Sequence, residues 1–158
     1  MNVLVPTREW SGEVDKSKWD RGPWDDECDR KQWTDQDTGL PCLIVRNDRW
    51  GMWCGYVGVR PGHPYFEQKY TKPAVEVHGG LTYSDFCNEG RICHETTAED
   101  RVWWLGFDCH HGYDYAPGFD VSLPPDLRQR SADVRYRNQA YVEFQCKWLA
   151  AQLAAITK

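Results

Sequence analysis

Two apolar stretches separated by a short turn-rich segment constrain the fold of this chain more than any other feature. Residues 42–46 (CLIVR) and 52–59 (MWCGYVGV) flank the polar segment NDRWG at 47–51. Strand-forming runs on both sides of such a turn predict a β-hairpin. The run RPGHP follows at 60–64, and its prolines end the second strand because proline has no N–H to donate to a ladder.

The C-terminal part of the chain carries a helical pattern. Steps of four, three, four and three separate the apolar residues Val142, Cys146, Leu149, Leu153 and Ile156. This spacing predicts a helix over 133–156 with one apolar stripe. Near the N-terminus, Gly22-Pro23 followed by acidic residues predicts a short helix. Residues 1–22 before it lack periodicity and are expected to be irregular.

Further strands are predicted at 75–78 (VEVH), with 81–84 extending it, and at 102–107 (VWWLGF). Residues 85–100 are expected to form a loop or hairpin excursion. The elements together predict an α+β fold, with an antiparallel sheet of about 4–6 strands, the long C-terminal helix on one face and the short N-terminal helix at an edge. A chain of 158 residues is expected to form a single domain, 1–158, because that length buries roughly 70% of its unfolded surface.

Composition excludes several classes of protein. A net charge of −5 and a pI near 5.5 argue against general DNA or RNA binding, which normally uses a basic face. No apolar run approaches the roughly 20 residues that span a bilayer, and the N-terminus lacks the basic and apolar regions of a signal peptide. We therefore expect a soluble, cytoplasmic protein with no membrane association.

The seven cysteines are predicted to be reduced thiols. Their number is odd and no signal peptide precedes them, which argues against a disulfide framework. No pair has the Cys-x-x-Cys spacing of a zinc knuckle. Most are expected to be small core residues. The cysteines are Cys28, Cys42, Cys54, Cys87, Cys93, Cys109 and Cys146.

Two histidine-bearing segments are the candidate functional surface. His78 precedes Gly79-Gly80, where glycine lets the chain turn and a ligand approach the backbone. The segment 108–114 (DCHHGYD) follows an apolar strand. We expect His78 to lie within about 8 Å of this loop, a separation that one metal ion or one water-bridged ligand spans. The alternatives are a β-bulge with a core histidine and a structural loop with exposed imidazoles.

The chemistry of this surface has two interpretations. Side chains two residues apart on an extended backbone point the same way, so Asp108 and His110 together with His78 would supply three ligands for a zinc or manganese ion. Alternatively, Asp108 fixes the tautomer of His110, which acts as a general base without metal. His78, Asp108 and His110 are the catalytic candidates in either case. Cys109 is expected to face the core.

An anionic ligand is a further possibility. Arg60, beside His63, can hold a phosphate or carboxylate through two parallel hydrogen bonds, and aromatic rings offer stacking faces. The alternatives are a solvated edge arginine and aromatic residues that belong to the core. The predicted ligand-binding residues are Arg60, His63, His78, Tyr83, Asp108, His111, Trp53 and Tyr56.

Three motifs carry a resemblance. The runs GYVGVRPGHP (55–64), VHGGLTYS (77–84) and WLGFDC followed by histidines (104–111), in this order, resemble a family of small uncharacterised proteins encoded in phage and prophage genomes. The likeness covers roughly residues 20–156. It implies an accessory protein acting in the cytoplasm of an infected bacterium. Counter-defence, by sequestering or destroying a nucleotide immune signal, is what that setting implies.

Three functions remain as hypotheses. The first is a non-catalytic binder of a small anionic, nucleotide-like ligand, which is favoured because the motifs lack the dense carboxylate and histidine set of a two-metal phosphoesterase. The second is a metal-dependent, phosphoester-type hydrolase using His78, Asp108 and His110 or His111. The third is a protein–protein inhibitor of a host factor. A divalent zinc or manganese ion is the one cofactor considered, and a homo-oligomer is left open.

Overall fold

The computed structural model describes residues 4–87, 92–96, 99–128 and 134–156. Within these ranges six strands form one antiparallel sheet in the order β1-β2-β3-β4-β6-β5. The predicted α+β fold is confirmed. The strands are β1 (Arg8–Trp10), β2 (Arg30–Thr34), β3 (Pro41–Arg46), β4 (Trp53–Val59), β5 (Tyr83–Phe86) and β6 (Trp103–Asp108).

The predicted hairpin corresponds to β3 and β4. Asn47 and Met52 close its turn, with the Asn47 N–H donating to the Met52 carbonyl at 2.8 Å. The Asn47 side chain accepts from the N–H groups of Arg49 and Trp50 at 3.0 and 2.7 Å. Gly51 completes the turn with a φ of +85°, a conformation that glycine adopts without steric cost.

Helices occupy both ends of the chain. A 3₁₀ helix, Pro23–Asp26, forms where the short helix was predicted, and its buried Trp24 packs on the ring of Tyr136. The helix α1 (Pro117–Ser122) follows the loop that leaves β6. The helix α2 (Gln139–Ala155) begins later than predicted because Asn138 caps it, accepting from the Tyr141 N–H at 2.9 Å.

The helix α2 packs on one face of the sheet, against β3 and β4. Alternation along each strand separates two apolar clusters. On the helix side, Ile44, Val57 and Leu105 pack with the buried stripe of α2, which comprises Val142, Cys146, Leu149 and Leu153. The opposite face carries Leu43, Val45, Tyr56, Val102 and Trp104. Both faces of the central strands are therefore buried.

Two local predictions are corrected. Residues 75–78 form no strand; His78 instead lies in a turn closed by a hydrogen bond from the Gly80 N–H to the Val77 carbonyl, 2.9 Å long. Gly79 and Gly80 both adopt positive φ, which interrupts an extended chain. In the N-terminal segment expected to be irregular, β1 pairs with β2.

A buried ionic network joins the N-terminal segment to β3 and to Tyr136, which lies just before α2. The fully buried Arg46 donates to Asp29 Oδ1 and Glu27 Oε1, each at 3.1 Å, and to the Tyr136 hydroxyl at 2.8 Å. Asp29 also pairs with Lys16 at 2.8 Å. Each buried charge in this network thus has opposite charges or hydrogen-bond partners around it, as burial requires.

The structure contains a disulfide between Cys87 and Cys93. The prediction that all seven thiols are free is therefore wrong for this pair. The chain brings their α-carbons to 4.7 Å, within the range that a disulfide spans. The other five cysteines carry reduced thiols, and all of these except Cys54 are buried.

In the part of the chain that the structure describes, no helix combines the length and the apolar character needed to cross a membrane.

Candidate functional site

The candidate site is a cluster of His78, His111 and Asp114 where the chain leaves β6. The Asp114 carboxylate is fully buried at its centre. His78 Nε2 lies 2.9 Å from Asp114 Oδ2, and His111 Nδ1 lies 2.9 Å from the same oxygen. The His78 side chain is 5% exposed and that of His111 is 25% exposed. Solvent therefore reaches the cluster from the His111 side.

The loop after β6 folds around its own carboxylates. Asp108 Oδ1 accepts from the His110 N–H at 3.0 Å, which turns the chain as the strand ends. Asp114 Oδ2 accepts from the His111 N–H at 3.1 Å, and the Asp114 N–H donates to the His111 carbonyl at 2.9 Å. These bonds hold the His111 ring beside the turn that carries His78.

Each member of the cluster also has a partner on its outer side. His78 Nδ1 lies 2.7 Å from the Tyr141 hydroxyl, and Arg137 Nε donates to Asp114 Oδ1 at 2.9 Å. His111 Nε2 lies 4.0 Å from Asp108 Oδ1. The His78 N–H donates to Gln145 at 3.0 Å, which ties the turn to α2. The helix α2 and the residues just before it thus supply Tyr141, Gln145 and Arg137 as hydrogen-bond partners of the cluster.

Electrostatics keep the central carboxylate ionised. Burial raises the pKa of Asp114, but hydrogen bonds from His78, His111 and Arg137 outweigh it, so this pKa lies well below its ordinary value. Burial raises the pKa of the Tyr141 hydroxyl. Burial also raises the pKa of the Cys109 thiol strongly, so this core residue stays protonated and is a poor nucleophile.

The cluster can hold a metal ion. One nitrogen of each histidine and one carboxylate oxygen of Asp114 all lie within 4.8 Å of one another. Without a metal the same atoms form hydrogen bonds, in which both imidazoles donate to the carboxylate. The arrangement therefore suits either a cation bound by two nitrogens and one oxygen, or an aspartate that orients two histidines.

The predicted proximity of His78 and the 108–111 loop is confirmed, since the ring centroids of His78 and His111 are 5.5 Å apart. The membership of the cluster differs from the prediction. Asp108 stands at its margin, beside His111. His110 turns away, towards Trp50 and Phe119, with ring centroids 6.4 and 5.5 Å distant. Alternation does not extend to His110 because β6 ends at Asp108.

Arg60 and His63 lie at the other end of the sheet. Val59 pairs with Trp103, whereas Cys54 pairs with Asp108. Arg60 forms a two-point ion pair with Asp100, at 2.9 and 3.0 Å. His63 Nδ1 accepts from the Tyr65 N–H at 3.0 Å, so its Nε2 donates to the Leu153 carbonyl, 2.7 Å away, near the end of α2. The structure does not bring either residue to the cluster.

The aromatic residues predicted to stack on a ligand are also dispersed. Trp53 is fully buried on the helix side, with the Arg46 guanidinium 4.4 Å above its ring. Tyr56 is buried on the opposite face, where it meets Tyr83 edge to face at 5.4 Å. These three rings share no open surface.

Sequence reasoning missed Arg137 and Tyr141 and gave Asp114 no role. Asp114 was visible as the second acid of the 108–114 segment, three residues after His111. Tyr141 adjoins the apolar stripe of the helix in sequence, and its hydroxyl requires a partner when partly buried. The position of Arg137 carried no sequence signal, since one arginine beside a helix start is common.

Comparison with family models, with curated proteins and with solved structures finds nothing that matches the chain. The resemblance to phage-encoded proteins stays a prediction.

Proposed function

We propose that the protein is a metal-dependent hydrolase whose metal ligands are His78 Nε2, His111 Nδ1 and an Asp114 carboxylate oxygen. The observation that carries this proposal is the convergence of one ligand atom from each residue within 4.8 Å, and His78 Nε2 and His111 Nδ1 both lie 2.9 Å from Asp114 Oδ2. Two imidazoles and one carboxylate are a recurrent ligand set of catalytic metal sites, in which a further position takes water or substrate.

The outer partners of the cluster support the proposal. Imidazoles that bind a metal usually donate their second N–H to an oxygen, which fixes the ring, and ligating carboxylates are themselves hydrogen-bonded. Tyr141 meets the second nitrogen of His78, Asp108 stands beside that of His111, and Arg137 holds Asp114. These partners therefore fix the orientation of each proposed metal-binding side chain.

Zinc and manganese are the proposed cations, because zinc suits mixed nitrogen and oxygen ligands and manganese accepts carboxylate-rich ones. Such an ion activates bound water and polarises a phosphoryl oxygen. His111 is the more exposed ligand, so the open side of the site lies at the 108–111 loop. Asp108, at the same margin, is placed to accept a proton from an approaching water.

The substrate class follows from Arg137. Its Nε binds Asp114, and its guanidinium lies between the rings of Tyr113 and Tyr141, 5.7 and 5.2 Å from their centroids. Within the described residues its terminal nitrogens make no hydrogen bond, so they are available to an anion. An anionic ester of the phosphoester type fits a site with a cation and a fixed guanidinium.

The hydrolase is preferred over the sequestering binder at this surface. Three of the residues expected to bind a nucleotide-like ligand are not placed to do so here. Arg60 is ion-paired at the other end of the sheet, and Trp53 and Tyr56 are core residues. A counter-defence role, which the phage resemblance implies, is compatible with a hydrolase that destroys a nucleotide signal.

The proposal is tested by stripping the protein with EDTA, adding Zn²⁺ or Mn²⁺, and measuring metal affinity by calorimetry and hydrolysis of bis(p-nitrophenyl) phosphate. Asp114→Asn and His111→Ala should abolish stoichiometric metal binding and metal-dependent turnover. His110→Ala is the matched control, since its ring points away from the cluster, and it should retain both. Equal metal binding by His111→Ala and the wild type would refute the metal site. Metal binding without turnover of this ester or of p-nitrophenyl phosphate would refute the hydrolase.

A further inference from the structure

A pocket of about 470 Å³ lies on the surface between the β3–β4 turn, α1 and the segment around residue 19. None of its lining residues belongs to the metal cluster. Ligand sites commonly occupy roughly 300–1,000 Å³. The side chains that matter for its chemistry are those of Lys18, Trp19, Arg49, Trp50, Ser122 and Arg128.

The walls of the pocket are built into the fold. The Gly118 N–H donates to the Trp50 carbonyl at 2.8 Å, which docks α1 on the turn. A β-carbon at Gly118 would come within 2.2 Å of the Arg49 carbonyl oxygen and 3.0 Å of the Trp19 indole nitrogen. Glycine therefore permits a close approach here, and that approach fixes both tryptophans around the pocket.

The pocket concentrates positive charge on an acidic protein. Three cations, Lys18, Arg49 and Arg128, face one carboxylate, Asp20, so the lining is positive although the whole chain carries −5. Within the described ranges the side chains of Lys18 and Arg49 make no hydrogen bond or ion pair. Their charges are thus available to a ligand.

The two arginines are also held in place. The Arg49 guanidinium lies 4.3 Å from the Trp50 ring centroid, a stacking contact that restricts its position. Arg128 donates to the carbonyls of Leu123 and Val121, at 3.2 and 3.4 Å. Neither contact neutralises a charge. The pocket therefore presents two guanidinium groups in fixed positions next to the tryptophan rings.

We propose that this pocket binds a planar aromatic anion of the mononucleotide class. The tryptophans supply a surface on which a base stacks, and the cations supply charge-assisted hydrogen bonds to a phosphate. Neither element alone selects such a ligand, whereas the combination does. The site is independent of the metal centre, since it uses none of the same side chains and needs no metal.

The test uses AMP, adenosine and inorganic phosphate as probes, with calorimetry on the full chain in the presence of EDTA. AMP should bind with at least roughly tenfold higher affinity than adenosine or inorganic phosphate, because the free energies of base stacking and of charge pairing add. Arg49→Gln should weaken AMP binding about tenfold and leave adenosine binding unchanged. EDTA removes any contribution of the metal centre, so the outcome does not depend on the proposed function.

Arg101→Gln is the matched control. Arg101 is an exposed arginine two residues before β6, paired with Glu67, and its loss should not alter AMP affinity. Because Arg49 is exposed, its substitution should leave the far-ultraviolet circular dichroism spectrum unchanged. An AMP affinity no higher than that for adenosine, equal effects of the two arginine substitutions, or no binding of AMP would each overturn the proposal.

Discussion

The imidazole of His111 lies directly over the α-carbon of Gly79. A β-carbon added there would come within 2.1 Å of His111 Cε1 and 2.3 Å of its Nε2. Gly79 also has a φ of +68°, in the left-handed region. The neighbouring Gly80 shares that region, with a φ of +80°, but a β-carbon there would have no atom within 4 Å. The position of the His111 ring therefore requires a glycine at residue 79 but not at residue 80.

This pair of glycines allows a controlled test. Gly79→Ala and Gly80→Ala each incur the cost of a left-handed alanine, about 1–2 kcal/mol. Gly79→Ala must in addition displace the His111 ring, and should lower Zn²⁺ affinity by at least about tenfold, whereas Gly80→Ala should keep near wild-type affinity. Calorimetric titration and denaturant unfolding measure both effects. Equal Zn²⁺ affinities for the two variants would mean that the contact does not position the ligand.

Tyr141→Phe tests the outer hydrogen bond to His78. Removal of such a partner typically weakens metal binding about 10–100-fold, so Zn²⁺ affinity should fall within that range. Tyr113→Phe is the control: Tyr113 stacks on His111 with ring centroids 5.5 Å apart, and phenylalanine retains that ring. An unchanged affinity in Tyr141→Phe would show that its hydroxyl does not support the metal site, and an equal loss in both variants would show that the effect is not specific to the His78 partner.

The architecture could be predicted because its signals are local. The β3–β4 hairpin follows from two strand-forming runs around a turn, and the apolar stripe of α2 follows from helical spacing. The location of the candidate site was predictable in part for the same reason, since the 108–114 segment follows β6. Where His78 was expected to end a strand, however, two left-handed glycines make a turn.

The identity of the site residues depended on contacts that spacing does not encode. Extended geometry was applied to His110, but the strand ends at Asp108, whose side chain caps the turn and redirects the following residues. His111 and Asp114 consequently replace Asp108 and His110. Arg60 lies away from the cluster and pairs with Asp100, 40 residues later, and no local pattern identifies such a partner.

The buried arginine predicts a large loss of stability. Arg46→Met would leave Asp29 and Glu27 without the cation that lies between them. Removing one partner of a buried ion pair costs roughly 3–5 kcal/mol, and urea unfolding should show a loss of this size. Arg101→Met, at an exposed ion pair, should change the free energy of unfolding by about 1 kcal/mol or less. Similar losses in the two variants would contradict the assignment of Arg46 as the centre of the network.

The cysteines can be counted chemically. Alkylation of the unfolded, unreduced protein should label the five reduced thiols, and reduction before alkylation should raise the number to seven. Intact-mass spectrometry measures both. Peptide mapping should place the two protected residues at Cys87 and Cys93. Seven adducts without reductant would show that the pair does not form a disulfide.

The acid sensitivity of the protein should depend on Asp29. Burial raises the pKa of this carboxyl, but hydrogen bonds from Lys16 and the Val14 N–H and the charge of Arg46 outweigh burial, so its pKa in the folded protein is lowered from 3.8. The unfolded chain then binds a proton more readily than the folded one. The stabilisation is fully present above the unfolded pKa and is lost as the pH falls below about 4 towards the folded pKa.

Asp29→Asn removes this titration. The variant should be less stable than the wild type at pH 7, because Arg46 and Lys16 lose a carboxylate partner. Below about pH 4 its free energy of unfolding should fall less steeply than that of the wild type, since one proton-linked step is absent. Urea unfolding at a series of pH values between about 7 and 2.5 measures both quantities. Parallel curves for the two proteins, offset by a constant amount at every pH, would show that Asp29 does not contribute to acid unfolding.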